Sequence, residues 1–321
     1  MLQLRLRPFL FVAALCTALS VSAQSWPHKQ IRMLIPYPPG GATDVAGRAI
    51  ADRLTTALGQ SVVVENRAGG NGNIGVEAVV RSAPDGYTML VVPDQLASNP
   101  HVYKLPFDAL TDLVPVIQLS RQPVVLGVHP SLGVNTVAEF VAAAKKKPGA
   151  ISFATSGAGS QQHITAEWFA RLAGIQIVHI PYKGGGQAIT DFIGGQVQAA
   201  SLGSTPVLPH HKSGKVKIIA QSTRTRAPTL PEVPTYVESG YKDLVLEQWL
   251  GAFVPALTPR EIVLRLNAEI GKALADATVR DRFDKAAMEP VGGSAEQFAQ
   301  YFRENHAMYG KLVKELNIRP D

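Results

Sequence analysis

Short apolar segments alternate with amphipathic helical segments along the chain, and this order constrains the fold more than any other feature. Residues 31–35 are predicted to form a strand, and residues 43–58 a helix with apolar side chains along one side. A strand, a helix and another strand follow at 61–65, 73–82 and 88–92. The order β-α-β-α-β favours a mainly parallel sheet with helices on both faces.

The same order begins again near residue 124 and ends in a helical tail. Further strands are predicted at 124–128, 151–154, 175–180, 197–201, 218–221 and 249–254, and helices at 137–146, 161–172 and 187–193. From residue 260 onward only helices are predicted, at 260–274, 278–287 and 296–316. A tail without strands cannot build its own sheet, so we expect it to pack on the first domain.

This organisation predicts two lobes joined by two chain crossings. The first lobe would be discontinuous (24–120 and 253–321), the second would be inserted (121–252), and the chain would cross near 118–124 and 247–255. Two crossings form a hinge, and a ligand belongs in the cleft between the lobes. Residues 35–41 (IPYPPGG) resemble residues 180–186 (IPYKGGG), which supports two equivalent lobes.

The first 23 residues have the pattern of a secretion signal. Arg5 and Arg7 precede an apolar stretch, and the small residues Ser22 and Ala23 form a plausible cleavage site. The apolar stretch is about 13 residues long, too short to cross a bilayer, which takes ~20. Cys16 is the only cysteine. The mature protein would therefore contain no thiol, which suits an oxidising compartment such as the periplasm.

The distribution of charge argues against several other classes. The chain has 31 Lys and Arg against 25 Asp and Glu, and the only basic run is residues 145–147, at the end of a predicted helix. Without a basic stripe, nucleic acid is not a predicted partner. The eight histidines lack metal-ligand spacing, and the adjacent His210 and His211 are predicted on an exposed loop. The sequence therefore predicts neither a metal site nor a cofactor.

Three glycine-rich loops come between a predicted strand and a predicted helix. They are centred on Gly40 and Gly41, on residues 155–160, and on residues 184–186. Glycine lets the backbone approach a ligand closely, and a helix start offers unpaired N–H groups to an anion. Ser156 and Ser160 would add hydroxyl donors. These loops predict a site that holds a carboxylate without a salt bridge, although each could also be a simple turn.

Three side chains near these loops have two possible roles each. Asp44 could pair with Arg48 four residues later, which we favour because Asp44 would repel a carboxylate, or it could contact the ligand. Lys183 could bind the ligand or remain in solvent. His163 could line the cleft or donate to a nearby carbonyl.

One motif points to a different function. Residues 70–75 match G-x-G-x-x-G, a dinucleotide-binding pattern, and Asp94 follows about 20 residues later. Four residues separate Glu65 from these glycines, however, so the tight turn from strand to helix is lost. A dinucleotide-dependent oxidoreductase is therefore the weaker hypothesis.

Eight short motifs follow one another along the mature chain. They are PGGATD (39–44), ENRAGG (65–70), SAPDGYT (82–88), SGAGS (156–160) with His163, PYKG (181–184), DFIGGQV (191–197), LPEVPT (230–235) and GAFVPA (251–256). In this order they make the chain similar to the Bug family, the periplasmic solute-binding components of tripartite tricarboxylate transporters.

The resemblance implies an α/β fold with two lobes, the periplasmic-binding-protein or "Venus flytrap" fold, and no catalysis. It implies a monomer that captures a di- or tricarboxylate, an acidic amino acid or an aromatic carboxylate such as terephthalate for a membrane permease. Many relatives are bulkier at residues 202–205, which leaves the pocket size open. The ligand-binding candidates are Tyr37, Gly40, Gly41, Ala42, Thr43, Asp44, Asp94, Ser156, Gly157, Gly159, Ser160, His163, Lys183, Gly184, Ser204 and Thr205. A sensor that presents its ligand to a signalling partner remains an alternative.

Overall fold

The computed structural model describes residues 26–319, so the predicted signal segment and Cys16 lie outside the described residues. Across the described range ten strands occur: β1 (Ile31–Ile35), β2 (Val62–Asn66), β3 (Thr88–Pro93), β4 (Leu113–Val128), β5 (Ser152–Thr155), β6 (Val178–Pro181), β7 (Ala199–Gly203), β8 (Lys217–Gln221), β9 (Glu247–Pro255) and β10 (Glu289–Gly292). The α-helices in the same range are α1 (Ala42–Leu58), α2 (Asn73–Val80), α3 (Gln95–Ser98), α4 (Val137–Lys146), α5 (Gln161–Ala173), α6 (Gly185–Ile193), α7 (Ser204–Lys212), α8 (Arg260–Ala275), α9 (Ala277–Lys285) and α10 (Ala295–Glu315).

The strands form two parallel units joined by two long antiparallel strands. The first unit has the order β2-β1-β3 and the second β7-β5-β6, each with parallel pairs. Between them, β4 and β9 pair antiparallel from Leu113 and Pro255 to Pro123 and Glu247. The α/β fold with two lobes is confirmed, and the mainly parallel character holds for the outer strands of each lobe. The exact lobe boundaries remain a prediction.

The tail packs against the first parallel unit. Apolar side chains of α8, such as Leu266 and Ile270, share a core with Ile50 and Leu54 of α1. On the other face of the sheet, Phe298 and Phe302 of α10 pack against Trp249 at ring-centroid distances of 5.5 and 6.0 Å. Burying each such side chain contributes roughly 1.5–3 kcal/mol, so these contacts fix the tail on the sheet.

Two expectations about the tail and α7 were wrong. The tail contains a strand, because β10 pairs antiparallel with β4 through Glu289 and Arg121. The Arg121 guanidinium also contacts the Glu289 carboxylate at 2.7 Å, which ties the strand in place. His210 and His211 lie in the last turn of α7 rather than on an exposed loop, and both are half-buried.

Within residues 26–319, no helix combines the length and the apolar character that crossing a membrane requires.

Candidate functional site

A cavity of about 460 Å³ lies where the ends of both parallel units meet the crossing strands. Because β1 and β3 run parallel, residues after each strand come to one edge of the sheet, and the same holds for β5 and β7. The first lobe contributes residues 37–44 with Pro93 and Gln95, and the crossing strands contribute Gln122 and Gln248. The second lobe contributes Ser156, Gln162, Lys183, Gly184, Gly185, Gly186, Gln187, Ile189, Leu202, Gly203, Thr205, Pro206 and His210.

Within the described range, three helices of eight residues or more have an N-cap residue that lines this cavity. The N-cap residues of α1, α6 and α7 are Gly41, Gly184 and Gly203, and none of these helices has a side-chain cap. Four other described α-helices are capped by side chains, namely those of Thr136, Ser160, Asp276 and Ser294, whereas α2 and α8 lack a side-chain cap and begin away from the cavity. The first N–H groups of a helix have no partner within the helix. Three uncapped helix starts therefore direct unpaired donors and positive dipole ends at one space, which favours an anion.

The carboxylate of Asp44 fixes the loop that leads into α1. It accepts hydrogen bonds from Gly40 N at 3.1 Å, from Asn66 Nδ2 at 3.0 Å and from Arg48 Nε at 3.0 Å. Burial by itself would raise the pKa of Asp44, but the hydrogen bonds from Arg48, Asn66 and Gly40 outweigh it and lower the pKa. The Asp44–Arg48 pair expected from the sequence is present. Asp44 therefore lines the cavity as an ionised carboxylate paired with Arg48, and its hydrogen bonds position the loop.

Tyr37 connects this loop to the neighbouring segment of the first lobe. It lines the cavity, and its hydroxyl donates to the carbonyl of Asn71 at 3.2 Å. Burial, with smaller contributions from Asp94 and Tyr103, raises the pKa of Tyr37 well above its ordinary value. The phenol is therefore a neutral hydrogen-bonding group at the site.

Only Ser156 of the loop at residues 156–160 lines the cavity. Ser160 is fully buried, and its hydroxyl caps α5 by accepting from His163 N at 3.2 Å. Gly157 and Gly159 have φ of 132° and 72°, and a Cβ on Gly159 would lie 2.7 Å from the Val102 side chain. This part of the loop therefore contacts the first lobe instead of the cavity.

His163 is placed behind the loop. Its Nδ1 accepts from Gly159 N at 3.1 Å, and its ring stacks on His179 at a centroid distance of 3.7 Å. Burial, and then the neighbouring His163, lower the pKa of His179 to about 3. His163 thus fits the second role considered for it, a hydrogen bond within the protein, although its ring nitrogen accepts.

Asp94 and Ser204 lie next to cavity residues without lining the cavity themselves. Asp94 is fully buried between Pro93 and Gln95, and it accepts from the Tyr309 hydroxyl at 3.3 Å. Burial raises the pKa of Asp94 to about 7. Ser204 is buried as well and donates to the carbonyl of Ala287 at 3.1 Å, whereas Thr205 does line the cavity.

The sequence reasoning missed four glutamines at the site. Gln95, Gln122, Gln162 and Gln248 all line the cavity. The sequence pattern could have indicated two of them, because Gln122 and Gln248 each lie beside apolar segments that form strands. A polar residue that interrupts a buried strand is an exception that calls for a partner.

The glycines of the G-x-G-x-x-G motif accommodate atoms of this chain. A Cβ on Gly72 would lie 2.8 Å from the Tyr37 hydroxyl oxygen, and one on Gly75 would lie 2.7 Å from Pro36. Asn71 between them adopts a left-handed φ of 53°. These positions are explained by internal packing. In the part of the chain that the structure describes, no group of three or more His, Cys, Asp or Glu side chains could hold a metal ion.

Comparison with known proteins places the chain among solute receptors. Residues 46–318 match the model of the tripartite tricarboxylate transporter family receptor. Protein BugT of Bordetella pertussis is 36% identical over 316 residues, which cover 97% of this chain and 96% of BugT. The structure of the periplasmic binding protein BugD is 30% identical with a TM-score of 0.86, covering 92% of this chain and all of BugD. The Rhodopseudomonas palustris protein Rpa4515, solved with adipate, is 32% identical with a TM-score of 0.88 at the same coverage.

Proposed function

The chain belongs to the tripartite tricarboxylate transporter receptor family, and we propose that it captures a small organic carboxylate in the periplasm as a monomer. From there it would deliver the ligand to the membrane permease of such a transporter. Binding without chemical conversion is the role of a receptor family. The adipate held by the Rhodopseudomonas palustris protein supports a carboxylate as the ligand class.

The three uncapped helix starts at the cavity carry this proposal. A carboxylate would accept hydrogen bonds from backbone N–H groups at Gly41, Ala42 and Thr43, and the dipoles of α1, α6 and α7 would favour its charge. Hydrogen bonds to a charged group contribute about 1.5–3 kcal/mol each. Lys183 lies at the cavity with an exposed side chain, so most of the binding energy would come from the backbone.

A thermal-shift and calorimetry screen tests the ligand class. The mature protein is measured against mono-, di- and tricarboxylates, each paired with its fully methyl-esterified form as a control without a free carboxylate. A ligand at 100 times its Kd should stabilise the protein by about 2.7 kcal/mol. Binding of esters as tightly as of acids, or binding of no carboxylate in the panel, would contradict the proposal.

The periplasmic location is tested on the exported protein itself. We expect intact-mass analysis to give a chain that starts at Gln24 and lacks Cys16, because the predicted cleavage site follows Ala23 and Cys16 precedes it. Retention of Cys16, or a lipid attached to it, would contradict cleavage. Light scattering after size exclusion checks the monomer.

A further inference from the structure

Four buried glutamines of the described residues line the cavity, and we name this set the glutamine floor (Gln95, Gln122, Gln162 and Gln248). Each is more than nine-tenths buried. The strand register brings two of them together, because Gln122 of β4 is the direct partner of Gln248 of β9. Gln95 follows β3 in the first lobe, and Gln162 lies in the first turn of α5 in the second lobe. The floor therefore draws on both lobes and on the crossing strands.

Two members of the glutamine floor are held by other parts of the protein. Gln122 Nε2 donates to Gln248 Oε1 at 2.6 Å. Gln122 Oε1 lies within hydrogen-bond distance of the Ser204 and Thr205 hydroxyls at the start of α7. These contacts fix the orientation of both amides, so this pair is a rigid part of the floor.

The other two members have buried polar atoms without partners. Among the described residues, Gln95 Nε2 and Gln162 Oε1 find no hydrogen-bond partner. Buried polar groups in native proteins are nearly always paired, so an unpaired one that lines a cavity calls for a ligand or a water. Each carboxamide has both donor and acceptor atoms, and turning it by 180° exchanges them. Gln95 and Gln162 each offer a donor and an acceptor, so each suits a ligand group that can itself both donate and accept.

The ionisable groups near the floor do not stabilise a second carboxylate there. Asp94 lies buried beside Gln95, and its Oδ1 has no hydrogen-bond partner among the described residues. A carboxylate bound there would make ionisation of Asp94 still less favourable, because two carboxyl groups at close range cannot both ionise without cost. Among residues 26–319, Lys183 is the only lysine or arginine that lines the cavity, and its side chain is exposed. An uncharged polar group incurs none of this cost.

We infer that the preferred ligand carries one carboxylate and, away from it, an uncharged group that both donates and accepts hydrogen bonds, which the glutamine floor binds. A carboxamide or an alcohol has this chemistry. The inference rests on the proposed function, because the carboxylate end is assigned to the helix starts. It narrows the ligand class from carboxylates in general to amide or hydroxy monocarboxylates.

Matched ligand pairs test the inference by isothermal titration. Succinate, glutarate and adipate are each compared with the monoamide of the same acid, so that only the distal group differs. We expect the better amide to bind about tenfold more tightly than its diacid. Gln95→Leu and Gln162→Leu should reduce this preference toward equality. Gln300→Leu on the exposed side of α10 is the matched control and should leave it unchanged.

The outcomes separate this inference from the proposed function. Equal or tighter binding of the diacids in the wild type, or an amide preference that survives in both leucine variants, overturns the inference while leaving a carboxylate receptor intact. A tight ligand from the wider panel that lacks a donating and accepting group overturns it as well. If none of the carboxylates binds, the result contradicts the proposed function instead. Melting curves check that the variants fold, and Gln95→Met and Gln162→Met, which keep an unbranched side chain, replace any leucine variant that does not.

Discussion

Gly41 offers a direct test of the carboxylate site, because its position is open on the cavity side. Its φ of −83° and ψ of 172° suit any residue, and a Cβ built on it meets no atom within 4 Å. The preceding Gly40 differs, since its φ of 91° favours glycine. Gly41→Val should therefore place two methyl groups in the space where the ligand carboxylate is proposed to dock, without a clash inside the protein.

The expected magnitudes follow from what Gly41 contributes. It supplies no side-chain cap to α1, so valine removes no hydrogen bond, and the poorer N-cap preference of valine costs about 1 kcal/mol of stability. Loss of one hydrogen bond to a charged group costs about 1.5–3 kcal/mol of binding. That loss raises Kd by roughly ten- to hundredfold. The effect on binding should thus clearly exceed the effect on folding.

The assay is isothermal titration of wild type, Gly41→Val and Gly41→Ala against the best carboxylate of the screen, with melting curves on the same samples. Gly271→Ala on α8, outside the cavity lining, controls for the replacement of a glycine. The Kd of Gly41→Ala should lie between that of wild type and that of Gly41→Val. Wild-type affinity for Gly41→Val would show that the loop before α1 does not touch the ligand, and the site assignment would fail.

Three further predictions concern stability and lobe contact. Burial raises the pKa of Asp94 to about 7, above its unfolded value of ~3.9, so this group's contribution to stability is full below ~4 and is lost as the pH rises to about 7. In denaturant unfolding, the free energy of unfolding of Asp94→Asn relative to that of wild type should therefore be higher at pH 8 than at pH 4. An equal difference between variant and wild type at the two pH values would contradict this prediction. Ser160→Ala should cost about 0.5–2 kcal/mol of unfolding free energy through loss of the α5 cap, measured in urea, and leave the ranking of ligands unchanged. Asn71→Ala removes a hydrogen bond between the lobes, so small-angle scattering without ligand should give a larger radius of gyration than for wild type, and an identical curve would refute the role of that bond.

The sequence predicted most helices and outer strands to within a few residues, because their apolar patterns are regular. Residues 31–35 and 137–146 match β1 and α4 without any shift. The predicted strand at 124–128 is only the end of β4, which begins at Leu113. Pro115, Gln118, Gln122 and Pro123 interrupt its apolar pattern, and pairing with β9 rather than local preference keeps the strand continuous.

The elements that were not predicted, α7 and β10, have sequences that do not favour their observed secondary structure. α7 was not predicted because Pro206 lies in its first turn and Pro209 inside it. Proline is tolerated in a first turn but disfavoured further on, so packing of Val207 and Leu208 in the core must override that preference. β10 (EPVG) has no apolar run and exists through its pairing with β4.

The candidate site was predictable where backbone chemistry decides it. Glycines before a helix indicate a start without a side-chain cap, and Gly41 and Gly184 are the N-cap residues of two such starts. The third such start is Gly203 before α7, whereas the sequence pointed to α5, whose start Ser160 caps. The glutamine floor could not be predicted, because its members are far apart in sequence and only the register of β4 and β9 and the turn into α5 bring them together.

The proposed ligand site and the contact between the lobes share one loop, and this contact gives the G-x-G-x-x-G segment a structural role. The carbonyl of Ala158 accepts from Asn71 Nδ2 and from the Tyr103 hydroxyl, both at 3.0 Å, and that of Gly159 accepts from Ser98 Oγ at 2.7 Å. All three donors belong to the first lobe, while the loop also places Ser156 at the cavity. Neutral hydrogen bonds of this kind contribute about 0.5–1.5 kcal/mol each. If the lobes rotate apart, these bonds must break, so they would contribute a few kcal/mol to holding the loop against the first lobe before a ligand binds. A ligand that contacts both lobes would add its own binding energy to the same equilibrium.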